Sequence, residues 1–184
     1  MKILVVGSGG REHANLTEKD TVLFLLSGGG SALFENPLIP GDELQAITGE
    51  LLRCGANITE INTIRKRLSA VKGGKFANHI APAKVCSVIL SDIVGDPIDM
   101  IASGPTVTDA STCEDALAIV RKYGIHLSEK AMDLLHRETP KSIDNAVNIV
   151  IGSVRELCMA ATGAATELGY EVTYLSDSIT CEAK

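Results

Sequence analysis

Tryptophan is absent and aromatic residues make up only 3% of the 184 residues, so no stacking platform for single-stranded nucleic acid is expected. The five cysteines (Cys54, Cys86, Cys113, Cys158 and Cys181) form no CxxC pair and no metal-ligand spacing with histidine. Scattered and odd in number, they read as reduced thiols packed in a core as small hydrophobes. No apolar run approaches the ~20 residues of a membrane helix, the longest being residues 22–26. The stretch 1–6 is too short for the apolar region of a secretory leader, so a soluble, cytoplasmic protein is expected. The Walker A phosphate loop is missing, and His79, His126 and His136 belong to no catalytic or metal motif. Positive charge is in deficit, with 17 Lys and Arg against 23 Asp and Glu and a net charge of −6. That excludes a global polyanion binder and leaves room for a local basic patch.

What is present is aliphatic. The hydrophobic fraction is 45%, with 17 glycines, enough for one folded domain with a real core. Short continuous apolar runs at 3–6, 22–26, 85–90, 147–151 and 172–175 read as strands buried on both faces, which favours a parallel sheet. Helical patterns lie between them. Asp42 with Gln45 resembles a capping box ahead of the stripe Leu44, Ile47, Leu51. Ile61, Ile64, Leu68 and Val71 form a second stripe. Ser111 with Glu114, and Ser153 with Glu156, resemble boxes opening helices that run to about Lys122 and Leu168, and a shorter helix is expected over 129–137. Alternating strands and helices predict an α/β fold: a three-layer sandwich with a Rossmann-like, doubly wound, mostly parallel sheet.

Ligands of such sheets sit at the carboxyl ends of the strands, and three segments there carry chemistry. Ser27, Gly28, Gly29, Gly30 and Ser31 follow the second strand, where consecutive glycines let backbone N–H groups cradle an anion; a plain strand-to-helix turn is the alternative. Asp92 and Asp96, after the strand at 85–90, suit Mg2+ coordination or proton abstraction from a hydroxyl, or are a cap and a solvated loop acid. Behind them, Ser103 and Gly104 belong to a small-residue segment that lines a pocket or makes a turn. Arg65, Lys66, Arg67, Lys72 and Lys75 concentrate five bases within eleven residues. Arg67 is expected on a solvated helix face, whereas Lys72 and Lys75 flank Gly73 and Gly74, placed to neutralise oxyanions. Together these features describe a phosphate-binding or phosphoryl-transfer site.

The segments 20–33 (DTVLFLLSGGGSAL), 61–69 (INTIRKRLS), 71–74 (VKGG), 90–96 (LSDIVGD) and 101–106 (IASGPT) resemble, in order, the hallmark segments of the glycerate 2-kinase family of the MOFRL type. The likeness continues through 138–141 (ETPK), 151–153 (IGS) and 181–184 (CEAK). It implies ATP and Mg2+ as cofactors and transfer of the γ-phosphate to D-glycerate, giving 2-phosphoglycerate. Carried over by motif, Ser27 to Ser31 with Ser103 and Gly104 would contact cofactor or substrate. Asp92 and Asp96 would serve the metal, Asp92 also the attacking hydroxyl, and Arg65 and Lys72 would neutralise charge. The implied partners are D-glycerate and ATP, with no nucleic acid and no membrane, and homo-oligomerisation is left open.

Two departures qualify that resemblance. The family's upstream stretch, with its Gly-Lys-Ala motif, is replaced by 1–14 (MKILVVGSGGREHA), which is similar to the first strand and loop of phosphoribosylamine–glycine ligase, an ATP-grasp enzyme. By the same resemblance these 184 residues are expected to stop within the family's first domain, without its second. The expected organisation is therefore a foreign β-loop element at 1–14, natural or chimeric, joined to an incomplete nucleotide-binding domain at 15–184. Little or no turnover is expected from it alone, a non-catalytic phosphate-binding module being the alternative and a purine-pathway ligase fragment the minor one.

Overall fold

The computed structural model describes residues 16–27, 30–91 and 93–178 together with the backbone of the strand at 3–6. Among the described residues four strands, β1 (Ile3–Val6), β2 (Thr21–Leu26), β3 (Lys84–Leu90) and β4 (Ala146–Gly152), form one sheet in the order β1-β2-β3-β4. Every neighbouring pair is parallel, as the continuous aliphatic runs imply. Ile3–Val6 thus belongs to the main sheet, paired to Thr21–Phe24. The register between β3 and β4 shifts at Ile89/Leu90, a bulge-like irregularity at the carboxyl edge, where strands are re-aimed near sites.

The helices are α1 (Gly30–Leu33), α2 (Gly41–Arg53), α3 (Ile58–Leu68), α4 (Lys75–Ile80), α5 (Cys113–Tyr123), α6 (Glu129–Leu135) and α7 (Val154–Glu167), with a 3-10 turn at Ile101–Ser103. One core lies on the sheet. There Val22, Phe24 and Leu26 of β2 and Val85 and Ile89 of β3 meet Phe76 and Ile80 of α4 and Ile101. All three phenylalanines of the chain gather in it, with ring centroids of Phe24, Phe34 and Phe76 4.8–5.1 Å apart. A second core joins α2, α3, α5 and α6 through Leu44, Ile47, Leu51, Ile61, Ile64, Leu68, Ile119 and Leu135. Helix α3 is the spine between them: its 61/64/68 stripe enters the helical core, while Asn62, Arg65 and Lys66 reach the 99–109 segment and α1. The opposite sheet face carries Leu25, Leu90, Val147, Ile149 and Ile151 at 45–62% exposure.

Several local expectations are corrected. Residues 172–175 make no ladder pairing; Val172, Tyr174 and Leu175 stay exposed, so apolar composition alone built no strand. Helix α2 has Pro40 at its N-cap with no side-chain cap bond, and Asp42 lies in its first turn. The box of α5 is Thr112 with Asp115, one residue later than expected, because the Ser111 hydroxyl is taken by Asp109 at 2.8 Å. Ser153 caps α7 as expected, accepting from Glu156 N, and Asn57 with Glu60 forms an unforeseen box on α3. Helix α3 ends before Val71, and α6 ends at Leu135. Cys54, Cys86, Cys113 and Cys158 are free thiols, but Cys54 is exposed and the others are half-buried rather than core residues. Among the described residues no helix is long and apolar enough to cross a membrane.

Candidate active site at the carboxyl edge of the sheet

Because β2, β3 and β4 are parallel neighbours, the segments following Leu26, Leu90 and Gly152 come to one edge, the usual ligand side of such sheets. Ser27 is exposed, and its carbonyl accepts from the Gly30 N–H at 2.8 Å. Gly28, Gly29 and Asp92 lie outside the described residues. A Cβ at Gly30 would stand 2.7 Å from Leu26 Cδ1, so the buried Leu26 side chain would have to shift. The single turn of α1 then presents the Ser31 carbonyl to two cations, Arg65 Nη2 at 3.0 Å and Lys72 Nζ at 3.1 Å.

Glu35 joins them, its carboxylate 3.3 Å from Arg65 Nη2 and 3.7 Å from Lys72 Nζ. Lys72 Nζ also donates to the Ala102 carbonyl at 3.2 Å, and its side chain is wholly buried. Burial is the main reason its pKa is pushed down from 10.5 to about 8; Glu35 opposes the fall and Arg65 adds to it. Arg65 Nε is buried without a partner among the described residues.

The floor under Lys72 is strained. Ala102, Ser103 and Gly104 take φ values of 50°, 60° and 63°, and left-handed backbone at a non-glycine residue costs ~1–3 kcal/mol. Neighbours hold it there. Gly73 N donates to Ser103 O at 2.9 Å and Gly74 N to Gly104 O at 2.7 Å, while Ser103 Oγ donates to Asn62 Oδ1 at 3.0 Å. Ser103 and Gly104 are therefore buried and fix the Ala102 carbonyl beneath Lys72.

The basic stretch divides into two groups with different work. Arg67 is not on a solvated face: it is 1% exposed, with Nη1 donating to Thr63 O and Ser111 Oγ. Lys66 Nζ lies 3.1 Å, and Arg67 Nη1 3.7 Å, from Asp109. Burial alone would raise the Asp109 carboxyl, but the Ser111 hydroxyl, Lys66 and Thr139 together hold it below the usual carboxylate range. Lys75 Nζ donates to the carbonyls of Lys66, Arg67 and Ser69 at 2.7–3.0 Å, satisfying the end of α3 as a cation should at a helix carboxyl terminus. Of these five, Arg65 and Lys72 face the Ser31 carbonyl.

At the β3–β4 side, Asp96 (φ 51°) has a buried Oδ1 with no partner among the described residues. It lines a cavity of about 280 Å³ with Gly95, Val154, Arg155, Asp177 and Ser178, in which Arg155 Nε is 3.8 Å from Asp177 Oδ2. Among the described residues no cluster of three or more metal-ligating side chains exists. Mg2+ uses one or two carboxylates and leaves its other positions to water and phosphate, so the orphaned Asp96 oxygen fits such a ligand. Glu35, Asn62, Arg155 and Asp177 were missed from sequence. Arg155 had a signal, since Gly152-Ser153 at a strand end opens its helix; Glu35 lies in no motif.

The family described as "Domain of unknown function (DUF4147)" matches residues 11–136. D-glycerate 2-kinase of Thermotoga maritima is 50% identical over 171 residues, 92% of this chain and 41% of that protein. Glycerate kinase of Danio rerio is 42% identical over 183 residues, 90% of this chain and 36% of that protein. The crystal structure of a glycerate kinase from Thermotoga maritima superposes with a TM-score of 0.79 at 52% identity, covering 85% of this chain and 38% of that one. The chain thus spans about two fifths of the length of these relatives. With more than half of its residues matched and a shared α/β fold, the chain belongs to the DUF4147 family.

Proposed function

We propose that this chain is the nucleotide-binding part of a glycerate kinase, which moves the γ-phosphoryl group of ATP to a hydroxyl of D-glycerate and yields 2-phosphoglycerate. The observation that carries the reading is the convergence of Arg65 and Lys72 on the Ser31 carbonyl, directly after the triple glycine. Backbone N–H groups of the glycine-rich turn, other than the Gly30 N–H that donates to the Ser27 carbonyl, would receive phosphate oxygens, and the two cations would offset the charge that develops on them. Asp96, with Asp92 four residues before it, would hold Mg2+ or orient the attacking hydroxyl. Mg2+ would supply charge neutralisation between phosphate oxygens. Ser103 and Gly104 act from below by fixing the floor of the corner.

The relatives named as glycerate kinases at 41–50% identity support the substrate class. A polypeptide of these 184 residues alone binds nucleotide with little turnover, in cytoplasmic conditions and without a membrane. The parallel pairing of β1 with β2 supports reading 1–14 as a strand element fitted to a kinase sheet, although the family match begins at residue 11, inside that stretch. Calorimetric titration of ATP·Mg2+ beside a D-glycerate-dependent ADP-release assay tests the reading. Saturable binding that Arg65→Ala weakens is expected; no binding at millimolar ATP would refute it.

A further inference from the structure

Arg65 arrives from α3, Lys72 from the segment between α3 and α4, and Glu35 from the loop between α1 and α2. Two cations sharing one carbonyl oxygen repel each other, and the Ser31 carbonyl dipole cannot offset two full charges. The ion pairs of both cations among the described residues run to one atom, Glu35 Oε2, at 3.3 Å and 3.7 Å. The Glu35 side chain is only 14% exposed, so it is turned into the corner rather than solvated.

We propose that Glu35 is a positioning residue whose carboxylate clamps the Arg65 guanidinium and the Lys72 ammonium onto the Ser31 carbonyl, so that an incoming phosphate meets both cations as one preset pair. This rests on the reading of the corner as a phosphate site. Arg65 Nε is buried with no partner among the described residues, so the clamp leaves one donor of the guanidinium unpaired. Lys72 is faced by Glu35, Arg65 and the Ser31 and Ala102 carbonyls. Its charged form, already disfavoured by burial, depends on Glu35 as the one opposing carboxylate among the described residues. Without that carboxylate Lys72 loses its proton at lower pH, and the pair becomes a single cation under mildly alkaline conditions.

The test uses Glu35→Gln and Glu35→Asp in the 184-residue chain, with lysine side-chain NMR and ATP·Mg2+ titration across pH. The Lys72 resonance, assigned by its loss in Lys72→Met, is expected to titrate below the wild-type value of about 8 in Glu35→Gln and closer to it in Glu35→Asp. ATP binding by Glu35→Gln should stay within about twofold of wild type near pH ~6.5 and fall on the order of tenfold near pH ~8.5, the loss expected of one charge-assisted contact. An unmoved Lys72 titration, or an equal loss of affinity at both pH values, overturns the proposal, because a packing role would act without regard to pH. A moved titration in a chain that binds no ATP supports the clamp and overturns only the nucleotide reading.

Discussion

Lys72→Met is expected to make the protein more stable and unable to bind nucleotide tightly. The wild-type ammonium is wholly buried, and its pKa falls from 10.5 to about 8. Keeping that charge in the folded protein at neutral pH therefore costs ~3 kcal/mol. Methionine fills a similar volume without charge. The substitution gives up the bonds to the Ser31 and Ala102 carbonyls; Ser31 keeps Arg65, so the loss is ~1–2 kcal/mol. The balance favours the variant by ~1–2 kcal/mol near pH 7. The pH dependence follows from the direction of the shift. With the folded pKa below the unfolded one, the unfolded chain binds more protons between about pH 8 and 10.5, so wild-type stability rises through that window. The variant lacks this contribution, and its advantage should shrink by ~2 kcal/mol at pH ~9.5. Urea denaturation at both pH values, with ATP titration alongside, measures all three quantities. A variant less stable than wild type by more than ~2 kcal/mol at neutral pH, or a difference that ignores pH, would sink the reasoning.

Asp109→Ala leaves the buried Lys66 and Arg67 without their shared carboxylate and should lower stability by ~3–5 kcal/mol in denaturant titration; a near-neutral effect would show that the cations find other partners. Because the folded Asp109 pKa is lowered, its contribution is present above the ordinary carboxylate range and lost as pH falls through the folded value. The acid limb of the wild-type stability curve should accordingly be steeper than that of the alanine variant. Thr112→Ala and Asn57→Ala each remove a reciprocal cap and should each lower stability by ~1 kcal/mol, whereas equal stabilities would mean that water replaces the caps. Gly30→Ala puts a Cβ 2.7 Å from Leu26 Cδ1 and should displace the Ser31 carbonyl and weaken ATP binding, while Gly41→Ala, with nothing within 4 Å, serves as the silent control.

Amino-acid sequence alone determined the local and periodic features of this protein. The aliphatic runs at 3–6, 22–26, 85–90 and 147–151 lie within the strands of one parallel sheet, but the expected burial on both faces did not follow, since Leu25, Leu90, Val147, Ile149 and Ile151 stay exposed on one face. The 61/64/68 stripe entered a core, and Ser153 capped its helix, since both depend on neighbours within a turn or two. The run at 172–175 failed for the complementary reason: a strand needs a partner, and apolar composition does not supply one. The basic stretch could not be sorted at all from sequence. Arg65, Lys66, Arg67, Lys72 and Lys75 look alike as a charge run. Only the tertiary structure brought Asp109 to two of them, the end of α3 to a third, and Ser31 with Glu35 to the remaining two. Glu35 was illegible because its meaning lies in cations 30 and 37 residues further along the chain. Periodicity reports which face of an element is buried, but the charge that ends beside another is settled by how the elements pack.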